Sequence, residues 1–232
     1  MSALDPFWDR MRPVAYGAAG LYVIPRAIES DVPRTELTGV FTHRKIVMRK
    51  RAMRDHYYHR EISIPASLQL TVEDIRPWDG REFLIASPVD FPQGVVRQYA
   101  EEHHAIDLFE YLSIAVQIGV MTTDQVREFS LETVLVPGGS ELGIYPTSWL
   151  YATQQKLAAV GREFVTRYGA RISTYDRYQV RAVGFLAERL GSYFLLKELR
   201  ARYPDCLPPD IVGDLCVVVP EGGHYSPGFV GN

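Results

Sequence analysis

Hydrophobic positions along the chain change their period close to residue 95. Before that point the clearest pattern is alternation. Ile62, Ile64, Ala66, Leu68, Leu70 and Val72 are separated by Ser63, Pro65, Ser67, Gln69 and Thr71. Period two predicts a strand with one face on a core, and Pro65, which has no N–H to give to a ladder, predicts that it lies at a sheet edge or is interrupted there. Asp79-Gly80 between Ile75–Trp78 and Glu82–Ala86 predicts a tight hairpin turn. Gly17-Ala-Ala-Gly20 followed by Leu21–Ile24 predicts a turn and a short strand.

Beyond the proline-broken stretch Ser87–Gly94 the period becomes 3.6. From Arg97 to about Ile118, Ala105, Leu108, Phe109, Leu112, Ala115, Val116 and Gly119 share one helical face. Thr122 and Gln125 form a capping-box pair that predicts a second helix from Thr123. A third is predicted from Ser148 to Tyr168, with Gly169 as its C-cap, and a fourth from Tyr175 to Tyr203, stopped by Pro204. The fourth buries Val180, Val183, Ala187, Leu190 and Phe194. Gly184 and Gly191, seven apart on it, predict close approach by another backbone, because each glycine costs a helix interior about 1 kcal/mol relative to Ala. Leu215–Val219 predicts a last short strand, and residues 221–232 an extended tail.

The fold class is therefore α+β: a strand-rich N-terminal half with a β-hairpin, a four-helix C-terminal half, a short terminal strand and the tail. The predicted organisation is one domain over residues 1–203, strand-rich over 1–95 and helical over 96–203, followed by the strand and tail of 204–232. At 232 residues, with 47% hydrophobic and 23% charged residues, the chain has the composition of a globular protein, and disorder is excluded as its main state. The start, MSALDPFWDR, has neither the basic residues nor the apolar run of a secretory signal, and the apolar run Ile106–Met121 carries Asp107, Glu110 and Gln117. An intracellular, soluble protein without membrane insertion is expected. Two cysteines ten residues apart, Cys206 and Cys216, build neither a disulfide framework nor a four-cysteine zinc site, and are expected as reduced, mostly buried thiols.

Charge is the least even property. The chain has 25 Lys and Arg against 28 Asp and Glu, a net −3, yet residues 43–60 hold seven cations and one carboxylate, or +6, leaving −9 for the rest. Arg44, Lys45, Arg49, Lys50, Arg51, Arg54 and Arg60, with Tyr57 and Tyr58 for stacking, are therefore candidate contacts to an acidic protein partner or to phosphate. Tyr225 and Phe229 are candidate anchors of the tail on a partner.

Reaction chemistry is less legible. His103, Asp107 and Glu110 would share one face of a continuous helix and are the candidate metal ligands, although that face lies opposite the Leu108, Leu112 and Ala115 stripe, where solvent is expected. No HExxH, GxSxG or phosphate-loop spacing occurs. Gly138-Gly139-Ser140 reads as a turn, and no cofactor is expected. With no catalytic set assembled, the expected function is a non-catalytic structural or accessory subunit of a larger assembly, whose partners are other protein subunits. The alternatives are an RNA- or DNA-binding protein using residues 43–60 and a metal-dependent enzyme using His103, Asp107 and Glu110.

Overall fold

A computed structural model describes residues 3–49, 54–55 and 59–225, with only the backbone of Arg54 and Asp55. The chain is α+β, 51% helical and 14% strand, around a curled sheet. Its strands are β1 (Leu37–Val40), β2 (Lys45–Met48), β3 (Arg54–Asp55), β4 (Arg60–Ser63), β5 (Leu84–Ala86), β6 (Val89–Asp90), β7 (Val134–Leu135), β8 (Gly143–Pro146) and β9 (Val212–Val219). Short helices α1 (Pro6–Arg10), α2 (Arg12–Ala15), α3 (Gly17–Leu21) and α4 (Ile24–Ile28) open the chain, and α5 (Ile64–Ser67) and α6 (Val72–Ile75) follow β4. The longer helices are α7 (Val95–Glu102), α8 (Ala105–Gln117), α9 (Thr123–Ser130), α10 (Thr147–Ile172) and α11 (Ala182–Arg202).

The sheet runs β1-β8-β5-β9-β4-β3, with β2 also paired to β9. β9 is its centre. It lies antiparallel to β2 over Asp214–Val217, and parallel to β5 at Val212–Gly213 and to β4 over Cys216–Val219. Such pairing needs close backbone approach, and a Cβ on Gly213 would stand 2.4 Å from the Met48 carbonyl oxygen. The strand nearest the C-terminus thus joins segments from the whole chain.

Two apolar cores flank the sheet–helix boundary. One packs Trp8 and Tyr22 with Leu108, Tyr111, Phe164 and Leu190 among the helices. The other packs Phe83, Leu84 and Ile85 with Tyr145, Leu195 and Leu199 between sheet and helices. The capping box at Thr122 forms as expected, with Gln125 N donating to Thr122 Oγ1 at 3.2 Å and Thr122 N to Gln125 Oε1 at 2.9 Å.

Several expectations are corrected. The alternating segment is a strand only to Ser63, because Ser63 Oγ accepts from Ala66 N at 3.3 Å and Pro65 sits in the first turn of α5, where its missing N–H costs nothing. Leu68 and Val72 are consequently 81% and 70% exposed. Leu21–Ile24 joins two short helices instead of forming a strand. Gly80 does turn the chain, at φ +75°, but β5 pairs with β8 and β9, not across a hairpin. The helix expected from Arg97 to Ile118 breaks at His103 and His104, both extended, so faces counted through the break slip. Asp107, expected toward solvent, is fully buried, and Phe109 is exposed. Gly169 lies inside α10. Of the helix glycines, Gly191 meets Ser140, whose Oγ would be 2.7 Å from an added Cβ, whereas Gly184 has open space. Cys216 is buried, which pushes its thiol pKa up to about 12, but Cys206 is exposed. Among the described residues no helix is long and apolar enough to cross a membrane.

Candidate active site

The break between α7 and α8 sends His103 into a cavity of about 360 Å3 between the helices and the sheet. Its ring stacks on Phe185 of α11, centroids 4.1 Å apart at 17°, and on Tyr178 at 5.7 Å and 24°. Asp176 Oδ1 accepts from Tyr178 N and Gln179 N, both at 2.7 Å, which fixes the turn carrying Tyr178. Gln179 Nε2 donates to the Glu102 carbonyl at 2.8 Å, so its Oε1 faces His103 Nδ1 at 3.1 Å and places the imidazole proton on Nδ1. Burial, followed by the charge of Arg189, lowers the His103 pKa to about 4. The ring is neutral at pH 7. Because its folded pKa lies below the ordinary 6.5, the unfolded chain binds a proton first, and stability is expected to fall as pH drops from 6.5 toward 4. Following the His103 ring protons by NMR across that window checks this directly; a midpoint near 6.5 would contradict it.

One turn along α11, Glu188 and Arg189 form the polar wall. The Arg189 side chain is 6% exposed and the Glu188 side chain 29%. Arg189 Nη1 donates to the Phe185 carbonyl at 3.1 Å and to Glu188 Oε2 at 3.3 Å, and Nη2 donates to Gln98 Oε1 of α7 at 2.9 Å. Its guanidinium also lies 5.1 Å from the Tyr99 ring centre. Glu188 Oε1 accepts from Gly138 N at 2.7 Å. That bond explains the Gly138-Gly139 pair: both have positive φ, +81° and +50°, and Gly139 packs directly on the backbone of α11. Behind this wall Glu141 is half-buried, with its Oε1 inaccessible and unpartnered among the described residues, and burial together with Glu188 raises its pKa well above the carboxylate range.

The opposite wall comes from the sheet. Lys45 of β2 points toward Tyr225, its ammonium 5.7 Å from the ring centre, and His59 meets the same ring edge-on at 5.3 Å. Tyr225 N donates to Glu61 Oε1 at 2.6 Å, and His224 Nδ1 lies 3.0 Å from Glu61 Oε2. Residues 224–225 are therefore held on their own chain beside the cavity, which Arg181, Glu101 and Glu102 also line.

No family model and no curated protein sequence matches the chain. Its fold does match the apo structure of WbbM, a bifunctional glycosyltransferase, with a TM-score of 0.65 over 95% of this chain at 13% identity. The chain spans 40% of the length of that protein. At this identity the likeness is one of fold. It nevertheless overturns the expectation of a non-catalytic structural or accessory subunit, which rested on the scatter of reactive residues along the sequence. The same fold serves as part of an enzyme, and folding gathers here the carboxylates and cations that spacing kept apart.

Of the sequence candidates, Lys45 lines this cavity. Arg49 is held elsewhere, donating to the carbonyls of Arg76 at 3.0 Å and Pro77 at 2.5 Å and lying 4.8 Å over Trp78. Arg60 pairs with Asp214 at 3.1 Å, Arg44 is exposed, and the backbone of Arg54 pairs with Glu61 in β3–β4. Lys50, Arg51, Tyr57, Tyr58 and Phe229 lie outside the described residues. Asp107 and Glu110 meet on Arg171, whose Nη2 is 2.6 Å from Asp107 Oδ1, while His103 turns away into the aromatic stack. Among the described residues no group of three or more His, Cys, Asp or Glu is arranged to hold a metal. Glu188, Arg189, Gln98, Arg181 and Phe185 also line the cavity and belong to no motif in the sequence. The available signal was a Glu-Arg pair, 188–189, set between Ala187 and Leu190 of the predicted core stripe, where unpaired charge would be costly.

Proposed function

We propose that the protein is a glycosyl-transferring enzyme acting on a sugar nucleotide in the cavity between α11 and the sheet. The observation that carries this reading is the pairing of Glu188 with Arg189 beside a stacked His103–Phe185 surface, within a fold shared with part of a bifunctional glycosyltransferase. Aromatic faces suit the C–H faces of a sugar or a base, and polar groups placed around them fix orientation. Glu188, partly open to the cavity, is the group that takes the proton of an acceptor hydroxyl. As that oxygen bonds to the anomeric carbon, the bond to the departing phosphate breaks and its electron pair leaves with the phosphate. Arg181 and Lys45, the cavity's other cations, meet the charge that develops there. Arg189, already bonded to Glu188, Gln98 and the Phe185 carbonyl, holds the carboxylate in position.

The test is to incubate the full chain with UDP-, GDP-, dTDP- and CMP-sugars, following binding by saturation-transfer NMR and nucleotide release by chromatography. Binding and turnover of one nucleotide class are expected. If none of the four classes binds or is cleaved at millimolar concentration, the proposal fails. Release of free sugar that no acceptor suppresses would instead indicate hydrolysis, which the carboxylates Glu101, Glu102 and Glu188 around the cavity would also support.

A further inference from the structure

β9 ends at Val219, and the residues after it leave the sheet. β9 itself is held by ladders to β2, β4 and β5. Residues 224 and 225 are tied instead to one carboxylate of β4: Glu61 accepts from Tyr225 N at 2.6 Å through Oε1 and meets His224 Nδ1 at 3.0 Å through Oε2. The Glu61 side chain is 4% exposed and that of His224 64%, so the anchor is fixed in the sheet while the segment it holds lies outside. Among the described residues none of 220–225 joins an apolar cluster. The chain turns as it leaves the sheet, Gly223 N donating to the Pro220 carbonyl at 2.9 Å, and Gly222 has φ +72°. A segment tied down by few contacts and entered through two glycines opens at a cost well below that of unfolding the sheet. What it covers is the cavity. Tyr225 lines it beside Lys45 and His59, and about 360 Å3 remain with the ring in place, so Tyr225 walls the space without filling it.

We propose that residues 220–225 are a gate on this cavity, turning on Gly222 and Gly223 and closed by the hold of Glu61 on His224 and Tyr225, with the Tyr225 ring as the part that covers the entrance. Opening requires only that the two bonds to Glu61 and the ring contacts with Lys45 and His59 are released. The sheet stays paired throughout. Closure returns the ring to Lys45, one of the cations that face the cavity. The gate controls access to the cavity proposed above as the sugar-nucleotide site, but it does not depend on the reaction there, and both of its tests are made without a sugar nucleotide.

The first test is amide exchange of the full chain, followed by NMR. Bonded to Glu61, the Tyr225 N–H should exchange about fivefold or more slower than in an unstructured peptide, yet at least about tenfold faster than the paired amides of β9. The second test uses diethyl pyrocarbonate, which attacks unprotonated imidazole. His103, with its proton on Nδ1, offers Nε2 to the reagent inside the cavity. Tyr225→Ala removes the covering ring but keeps the N–H on Glu61, so its melting curve should match that of the parent. Modification of His103, read by peptide mapping, should become about fivefold or more faster in the variant. Exchange of the Tyr225 N–H as slow as in β9 would make the segment a fixed part of the sheet, and exchange as fast as in an unstructured peptide would mean that nothing holds it closed. Either result overturns the proposal, as does a rate of His103 modification that Tyr225→Ala leaves unchanged.

Discussion

Replacing Glu188 with glutamine is expected to lower sugar transfer by about two to four orders of magnitude, the range that removal of a positioned general base produces. The substitution is nearly isosteric. The amide oxygen can still accept from Gly138 N, and Arg189 keeps the Phe185 carbonyl and Gln98 as partners. What disappears is the negative charge and the capacity to take a proton. Arg189, almost fully buried, loses its anionic neighbour, so a stability cost of about 1–3 kcal/mol is expected. Activity should therefore be read well below the melting transition, with kcat and KM separated. A fall in kcat with KM little changed supports a role in the chemical step, whereas a rise in KM at constant kcat would reduce Glu188 to a binding group. Activity within a few-fold of the parent would remove Glu188 from the mechanism altogether.

Gly139→Ala should be the most damaging small substitution near the site. At φ +50° a Cβ is strained, and here it would stand 2.6 Å from the Glu188 carbonyl oxygen and 2.7 Å from Ser192 N, both backbone atoms that cannot swing aside. Either the loop leaves α11 or α11 bends. A loss of about 3 kcal/mol or more is expected, which for a domain of this size lowers Tm by roughly 10 °C. The displacement would also pull Gly138 N away from Glu188, so activity should fall at temperatures where the variant remains folded. Gly184→Ala is the internal control, because it sits on the same helix with nothing within 4 Å of the new methyl group. Alanine there should stabilise by up to about 1 kcal/mol. Thermal or urea melts of the two variants should move in opposite directions; a harmless Gly139→Ala would show that the loop and α11 are not tightly joined.

Features that depend on neighbours along the chain are legible in residue order alone. The capping box at Thr122 and the two long C-terminal helices are local signals, and both appear in the structure. So does the α+β class. The same locality explains the errors. Alternation from Ile62 to Val72 is compatible with a strand, but Ser63 and Pro65 begin a helical turn at that point. Residues 103–104 carry no breaker, and the helix ends there because His103 is held by Phe185 and Gln179, which arrive from far along the chain. Once the helix breaks, a face counted across it no longer exists, and the proposed set of His103, Asp107 and Glu110 divides between the cavity and Arg171. The basic segment was visible as charge, yet only tertiary pairing decided that Lys45 reaches the cavity while Arg49 and Arg60 bind within the chain. Glu188 meets Gly138 across fifty residues, and Arg189 meets Gln98 across ninety-one. Contacts at such separation leave no periodic trace, because they are selected by how whole elements pack and not by the spacing of residues within any one of them.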